Sequence, residues 1–256
     1  MRYLGSAVSD IGISKKTNQD SVCLKIAETE SHGQIAMCVM CDGMGGLEKG
    51  ELASATVIRA FEEWFEIQLP GELPGLSWEG LAAEWKRLIQ LCNDKIVEHG
   101  KQEGVRLGTT VSALLLMNGR YLIAHVGDSR VYRITDSVEQ LTEDHTYVAR
   151  EVKRGNMMPE QAERNPKRNV LTQCVGASEI VTPEILLGET EEDTVYMLCS
   201  DGFRHELSED EMFEEFRPLH VRTVEEMEQN SRVLVERVKE RQERDNISVV
   251  LVKCEG

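Results

Sequence analysis

Leu114-Leu115-Leu116 places the tightest limit on how this chain can fold. The three sit inside Thr110–Met117, a strand-like run that meets Asn118-Gly119 and returns as Arg120–Val126. Asn-Gly between two such runs is the strongest short hairpin signal. Side chains alternate across a strand, so consecutive leucines require both faces of this one to be covered. The hairpin makes its strands antiparallel and excludes a doubly wound parallel sheet here. Further strands are expected at Tyr3–Ser9, Asp20–Ala27, Gln34–Cys41, Arg130–Thr135, Glu184–Gly188, Thr194–Cys199 and Ile247–Val252.

Helical spacing joins Ala53, Val57, Ala60, Phe61, Trp64 and Phe65, then Leu81, Trp85, Leu88, Ile89, Cys92 and Ile96. Trp64 and Trp85 read as core anchors. Pro70–Ser77 between them reads as a Gly/Pro loop, and two more helices follow at Ser208–Arg217 and Thr223–Arg241. The arrangement that covers every apolar face is α+β: a four-layer αββα sandwich. In it two antiparallel sheets pack face to face, with helices on both outer faces.

No repeat or linker divides the 256 residues, so one domain spanning 1–256 is expected. Between about 144 and 180 the chain turns polar and irregular, and Arg150, Lys153, Arg154, Arg164, Lys167 and Arg168 make a basic island there. That excursion reads as a flap over a site, or as a long surface loop. A net charge of −16 disfavours nucleic-acid binding. No apolar run is long enough to span a bilayer. Seven scattered cysteines suit reduced core thiols. A cytoplasmic monomer is the expectation. Cys38 and Cys41 have metal-site spacing, but on a strand they point to opposite faces and cannot close on one ion.

Asp42, Asp128 and Asp201 each stand just after an apolar strand, and Asp20 and Asp245 each stand just before one. In antiparallel sheets the end of one strand lies beside the start of its neighbour, so all five can meet on one rim. Asp42 also opens Asp42-Gly43-Met44-Gly45-Gly46, where the glycines let the backbone approach a bound group closely. Two carboxylates about 4 Å apart repel by roughly 4 kcal/mol near a protein surface. Such a rim therefore either holds protons or binds cations. Oxygen donors without paired His or Cys favour Mg²⁺ or Mn²⁺, and two such ions can lower the pKa of a bridging water and aim it at phosphorus. Hydrolysis of a phosphate ester is the matching reaction class. No nucleophile elbow and no Walker sequence competes with it.

These residues make the chain similar to the metal-dependent serine/threonine protein phosphatases of the 2C type, in their bacterial single-domain form. The likeness rests on an ordered set: Ser9-Asp10-Ile11-Gly12, Asn18-Gln19-Asp20, Asp42-Gly43-Met44-Gly45-Gly46, Gly108-Thr109-Thr110, Gly127-Asp128-Ser129-Arg130, Ser200-Asp201-Gly202 and Asp245-Asn246. The resemblance implies a binuclear Mn²⁺/Mg²⁺ centre with a bridging hydroxide. Asp42 would bridge the ions, the Gly43 carbonyl would complete one shell, and Asp20, Asp201 and Asp245 would ligate the other. Asp128, with Asp201, matches the position of a third, weaker ion. Asp144-His145-Thr146 through Gly176 matches the family's flap. Phosphorylated proteins are the implied substrates, with a serine/threonine kinase as counterpart by analogy.

Three positions depart from the family pattern. Lys15 stands where an arginine usually grips the phosphate, keeping the charge but losing the bidentate fork. Leu47 replaces a histidine and cannot donate a proton. His205 replaces a further acidic ligand; it reads either as a surface cap of the turn before Glu206, or as a proton donor or nitrogen ligand. Lys15 and Leu47 leave open a regulatory pseudophosphatase that binds phosphoproteins without hydrolysis. A small-molecule phosphomonoesterase is the second alternative.

Overall fold

The computed structural model describes residues 1–44 and 49–256. Leu47 and the Gly45-Gly46 turn, both singled out in the sequence, lie outside the described residues. In chain order the strands are β1 (Arg2–Asp10), β2 (Asp20–Thr29), β3 (Gly33–Asp42), β4 (Val111–Met117), β5 (Arg120–Val126), β6 (Arg130–Ile134), β7 (Val138–Gln140), β8 (Glu184–Glu189), β9 (Val195–Cys199) and β10 (Ile247–Glu255). The helices are α1 (Gly50–Glu63), α2 (Leu69–Glu72), α3 (Trp78–Glu103), α4 (Tyr147–Lys153), α5 (Pro159–Glu163), α6 (Asp201–Arg204), α7 (Glu209–Phe216) and α8 (Val224–Glu240).

Among the described residues the strands form two five-stranded antiparallel sheets, ordered β1-β10-β9-β6-β7 and β2-β3-β4-β5-β8. Ala36, Cys38, Met40, Leu114 and Leu116 fill the layer between the sheets, against Leu198, Val250 and Val252. Met37, Val39, Cys41, Ala113 and Leu115 point the other way, into a core shared with α1 and α3. This is why β3 and β4 are apolar on consecutive positions. A third core packs Met197, Val249 and Leu251 against Phe216, Met227 and Leu234 of α7 and α8. The αββα sandwich follows directly, and Cys38 and Cys41 fall in different layers.

Trp64 and Trp85 are fully buried, with ring centroids 5.4 Å apart in an edge-to-face arrangement, and Phe61 adds a second such contact to Trp85 at 5.1 Å. The Pro70–Ser77 segment corrects the loop expectation, since α2 and a 3₁₀ turn at Leu73–Gly75 run through it. Pro70 and Pro74 sit at the starts of these turns, where a missing N–H costs no hydrogen bond. β7 has only three residues and its signal was too short to read.

Candidate metal centre

The strand ends dictate the site. Asp20 opens β2 directly opposite Asp42, which closes β3. Asp201 follows β9 and Asp245 precedes its neighbour β10, while Asp128 lies in the turn from β5 to β6. Asp42, Asp128, Asp201, Asp245 and Lys15 line one cavity of about 1190 Å³. Asp20 lies behind them, buried at 7 % exposure.

The backbone around Asp42 is fixed by the Gly108-Thr109-Thr110 motif. Asp42 N–H donates to Thr110 Oγ1 at 2.9 Å, and the Asp42 carbonyl accepts from Thr110 N–H at 2.9 Å and from Thr109 Oγ1 at 3.0 Å. Gly43 packs so closely on Gln19 and Gly50 that a Cβ there would meet the Gly50 carbonyl oxygen at 2.5 Å. Ser248 Oγ donates to Asp20 Oδ2 at 2.7 Å. Asn246, buried just after Asp245, accepts from Gln19 N–H at 2.9 Å and donates to the carbonyls of Ile11 and Thr17. It thereby ties the 11–19 loop, with Lys15, to the start of β10.

Burial, with repulsion from Asp201 and Asp245, pushes Asp20 up to about 7 despite the Ser248 bond. Asp128 is pushed up to about 7 by burial and by Asp201. Asp42 keeps some exposure at the cavity wall, yet the protein around it and the charges of Asp20, Asp201 and Asp128 drive it well above the ordinary carboxylate range. Asp20 Oδ1 and Asp201 Oδ1 are buried without a hydrogen-bond partner among the described residues. Unpartnered carboxylate oxygens inside a set of oxygen donors are what a hard divalent cation would satisfy, so the residues fit Mg²⁺ or Mn²⁺.

Lys15 Nζ meets Asp245 Oδ1 at 2.7 Å. Burial works against the ammonium, but Asp245, Asp42 and Asp201 outweigh it and hold the charge. Lys16 is exposed. His205 is the C-cap of α6, as one of its two readings has it, but it is not a free surface group. Its ring is one quarter exposed, with Nε2 3.8 Å from Asp201 and Nδ1 3.5 Å from Glu243. Burial opposes its charged form, but Glu243 and Asp201 raise it. Burial likewise opposes the Glu243 carboxylate, yet His205 and the N–H groups of Asp245 and Arg244 hold it near 2.

Three supports of the site have roles that the sequence did not assign, although Gly127, Arg130, Asp144 and His145 belong to the motifs noted there. Gly127 sits at φ 117°, where a Cβ would also strike Thr110, and its peptide is clamped by two imidazoles. Its N–H donates to His145 Nδ1 at 3.2 Å, and its carbonyl accepts from His125 Nε2 at 3.1 Å. His125, His145 and Glu184 come within 4.8 Å of one another, but both rings are already committed to Gly127, so we read them as a clamp on the turn before Asp128. Arg130 makes a bidentate pair with Asp144, both bonds 2.8 Å, and thereby fixes where the 144–180 excursion leaves the sheet. Arg204 donates to the Asp128 carbonyl at 3.1 Å.

The family model for protein phosphatase 2C matches residues 13–239. Protein phosphatase PhpP of Streptococcus pneumoniae is 29% identical over 210 residues, 81% of each chain. The solved serine/threonine phosphatase of S. agalactiae superposes with a TM-score of 0.85 at 28% identity, over 99% of this chain and 100% of that one. The catalytic domain of serine/threonine protein phosphatase PstP in complex with two manganese ions gives 0.78 at 26% identity, over 99% of each.

Proposed function

Because this chain belongs to the protein phosphatase 2C family, we propose that it hydrolyses phosphoserine and phosphothreonine in proteins at the aspartate-lined cavity. One observation carries the reading: carboxylates from five separate strand ends gather where their repulsion is relieved by protons or by divalent cations. Asp42 and the Gly43 carbonyl, with Asp20, Asp201 and Asp245, would hold two Mn²⁺ or Mg²⁺ ions, and Asp128 with Asp201 would hold a third, weaker one. When bound, such ions supply Lewis-acid activation of water and neutralise charge on the phosphoryl group.

The chain's own residues do the rest. Lys15 is placed to receive the phosphoryl oxygens, exchanging its bond to Asp245 for them. Thr109 and Thr110 keep Asp42 in register, and the His125–Gly127–His145 clamp sets Asp128. His205 brings a nitrogen where the family pattern brings an oxygen, which weakens the third position for a hard ion.

The whole chain acts as one phosphatase domain, with the 144–180 segment as a flap. No helix among the described residues is long and apolar enough to cross a membrane. Seven buried, unbridged thiols suit a cytoplasmic setting. A monomer acting on phosphoproteins, opposite a serine/threonine kinase, completes the proposal. Turnover of a phosphothreonine peptide in Mn²⁺ that is abolished by chelator is the expected result. Equal turnover in chelator would refute it, and metal binding without turnover would favour the regulatory alternative, in which the Lys15–Asp245 pair stays closed. Faster turnover of sugar phosphates than of phosphopeptides would favour the small-molecule alternative.

A further inference from the structure

The cavity continues well past the aspartates. It runs between the last turn of α3 with residues 105–107 on one side and residues 169–179 on the other. Gly104, at φ 68°, ends α3 and turns the chain back, so that Val105 N–H donates to the Gly100 carbonyl at 3.0 Å. That reversal sets Lys101 and Arg106 on the same wall of the cleft. Both are exposed, and among the described residues neither makes an ion pair. Ile96, Val97 and Leu107 give this wall an apolar base. Glu179 is the single acid among the described lining residues beyond the rim.

We propose that this cleft seats the segment of substrate flanking the phosphorylated residue, and that Lys101 and Arg106 select an acidic side chain on it. The inference rests on the phosphoprotein reading and names its substrate class. A surface of net charge −16 repels acidic peptides in general, so two cations beside the site act as a local exception that draws such a peptide into register. The six cations of the basic flap are less suited to the task, since none of them lines this cavity. Lys153 already meets Glu143 at 2.6 Å, and Arg150 and Arg154 both face Glu151, at 3.6 and 3.5 Å. Lys101 also complements the carbonyl end of α3, which is a purely structural use. Arg106 lies beyond the helix and has no such use.

The test uses the full chain in Mn²⁺ and the double variant Lys101→Glu/Arg106→Glu, with melting temperature confirming that the exposed changes leave the fold intact. Substrates are p-nitrophenyl phosphate and two phosphothreonine peptides that differ only in glutamate or glutamine flanks. We expect kcat/KM on the glutamate peptide to fall about tenfold, with the other two substrates within about twofold. The wild-type preference should shrink with salt. Equal change on both peptides, or none, overturns the proposal. Fluorescence anisotropy with the same peptides reads the cleft without turnover. Preferential binding lost in the variant supports the cleft even if no substrate is hydrolysed, a result that would sink the hydrolytic reading instead. Absence of any preference in the wild type overturns the cleft.

Discussion

Lys15 and Asp245, far apart in the chain, close a 2.7 Å ion pair on the wall of the aspartate cavity. Their meeting depends on Asn246, which holds the Lys15 loop against the start of β10. Lys15 is therefore a cation delivered to the site by the fold, with a carboxylate as its resting partner. A hydrogen bond to a charged group contributes about 1.5–3 kcal/mol, or roughly 10- to 150-fold. Lys15→Ala should raise KM for a phosphopeptide within that range and change kcat less. Lys15→Arg should match or exceed the parent, because the guanidinium fork grips phosphate in two bonds. Steady-state kinetics on the three proteins checks both.

On the proposed reading, acidity and metal compete for the same oxygens. Asp20 and Asp128, pushed up to about 7 from an ordinary 3.8, bind more protons folded than unfolded between those values. Their contribution to the stability of the metal-free chain is therefore greatest below about pH 4 and falls as pH rises towards 7. Glu243, held near 2, acts in the opposite sense: its contribution is complete above about pH 4.5 and is lost as pH drops towards 2. Mn²⁺ should accordingly raise the melting temperature little at pH 5 and most above pH 7. Scanning calorimetry with Mn²⁺ or chelator across that range reads the trend, and a Mn²⁺ effect that shrinks with rising pH would oppose it.

Arg130 and Asp144 form the bidentate pair where the 144–180 excursion leaves the sheet, one quarter and one eighth exposed. Burial opposes the Asp144 carboxylate, but Arg130 and Arg204 hold it below its ordinary value. Breaking a fully buried pair costs about 3–5 kcal/mol, and partial exposure here reduces that to about 2–3 kcal/mol. Arg130→Met should show this loss in urea unfolding. Arg130→Met/Asp144→Leu should recover only part of it, since the Asp144 carboxylate is no longer left unpaired by Arg130 but Arg204, 3.5 Å from Asp144, loses its own partner.

Much of this architecture was legible because the chain obeys simple periodicities. The consecutive leucines announced a doubly covered strand, and the aspartates at strand ends announced a shared rim, since antiparallel pairing brings such ends together. Between its two readings His205 stayed open because its contacts with Asp201 and Glu243 depend on how α6 folds back, which no local pattern encodes. The pairing of His125 and His145 around Gly127 is likewise non-local, since one ring comes from β5 and the other from the start of the 144–180 excursion. Pro70 and Pro74 read as loop residues because proline tolerance at the first turn of a helix shows only once the helix is present.

Trp85 lies between Phe61 and Trp64, edge to face with both. Trp85→Ala should cost about 3–5 kcal/mol, the loss for truncating a buried large aromatic. Because Phe61, Trp64 and Trp85 do not line the aspartate cavity, Mn²⁺ affinity in the surviving folded fraction should hardly change. Urea unfolding and a Mn²⁺ titration on the same variant separate the two effects.

The central claim is that divalent ions hold together carboxylates that would otherwise repel. Calorimetric titration of the metal-stripped chain with Mn²⁺, alongside Asp42→Ala, tests it most directly. The account predicts about two ions bound by the parent, with proton release, and the loss of at least one ion together with nearly all phosphatase turnover in the variant. Unchanged Mn²⁺ stoichiometry in a folded Asp42→Ala protein would contradict it.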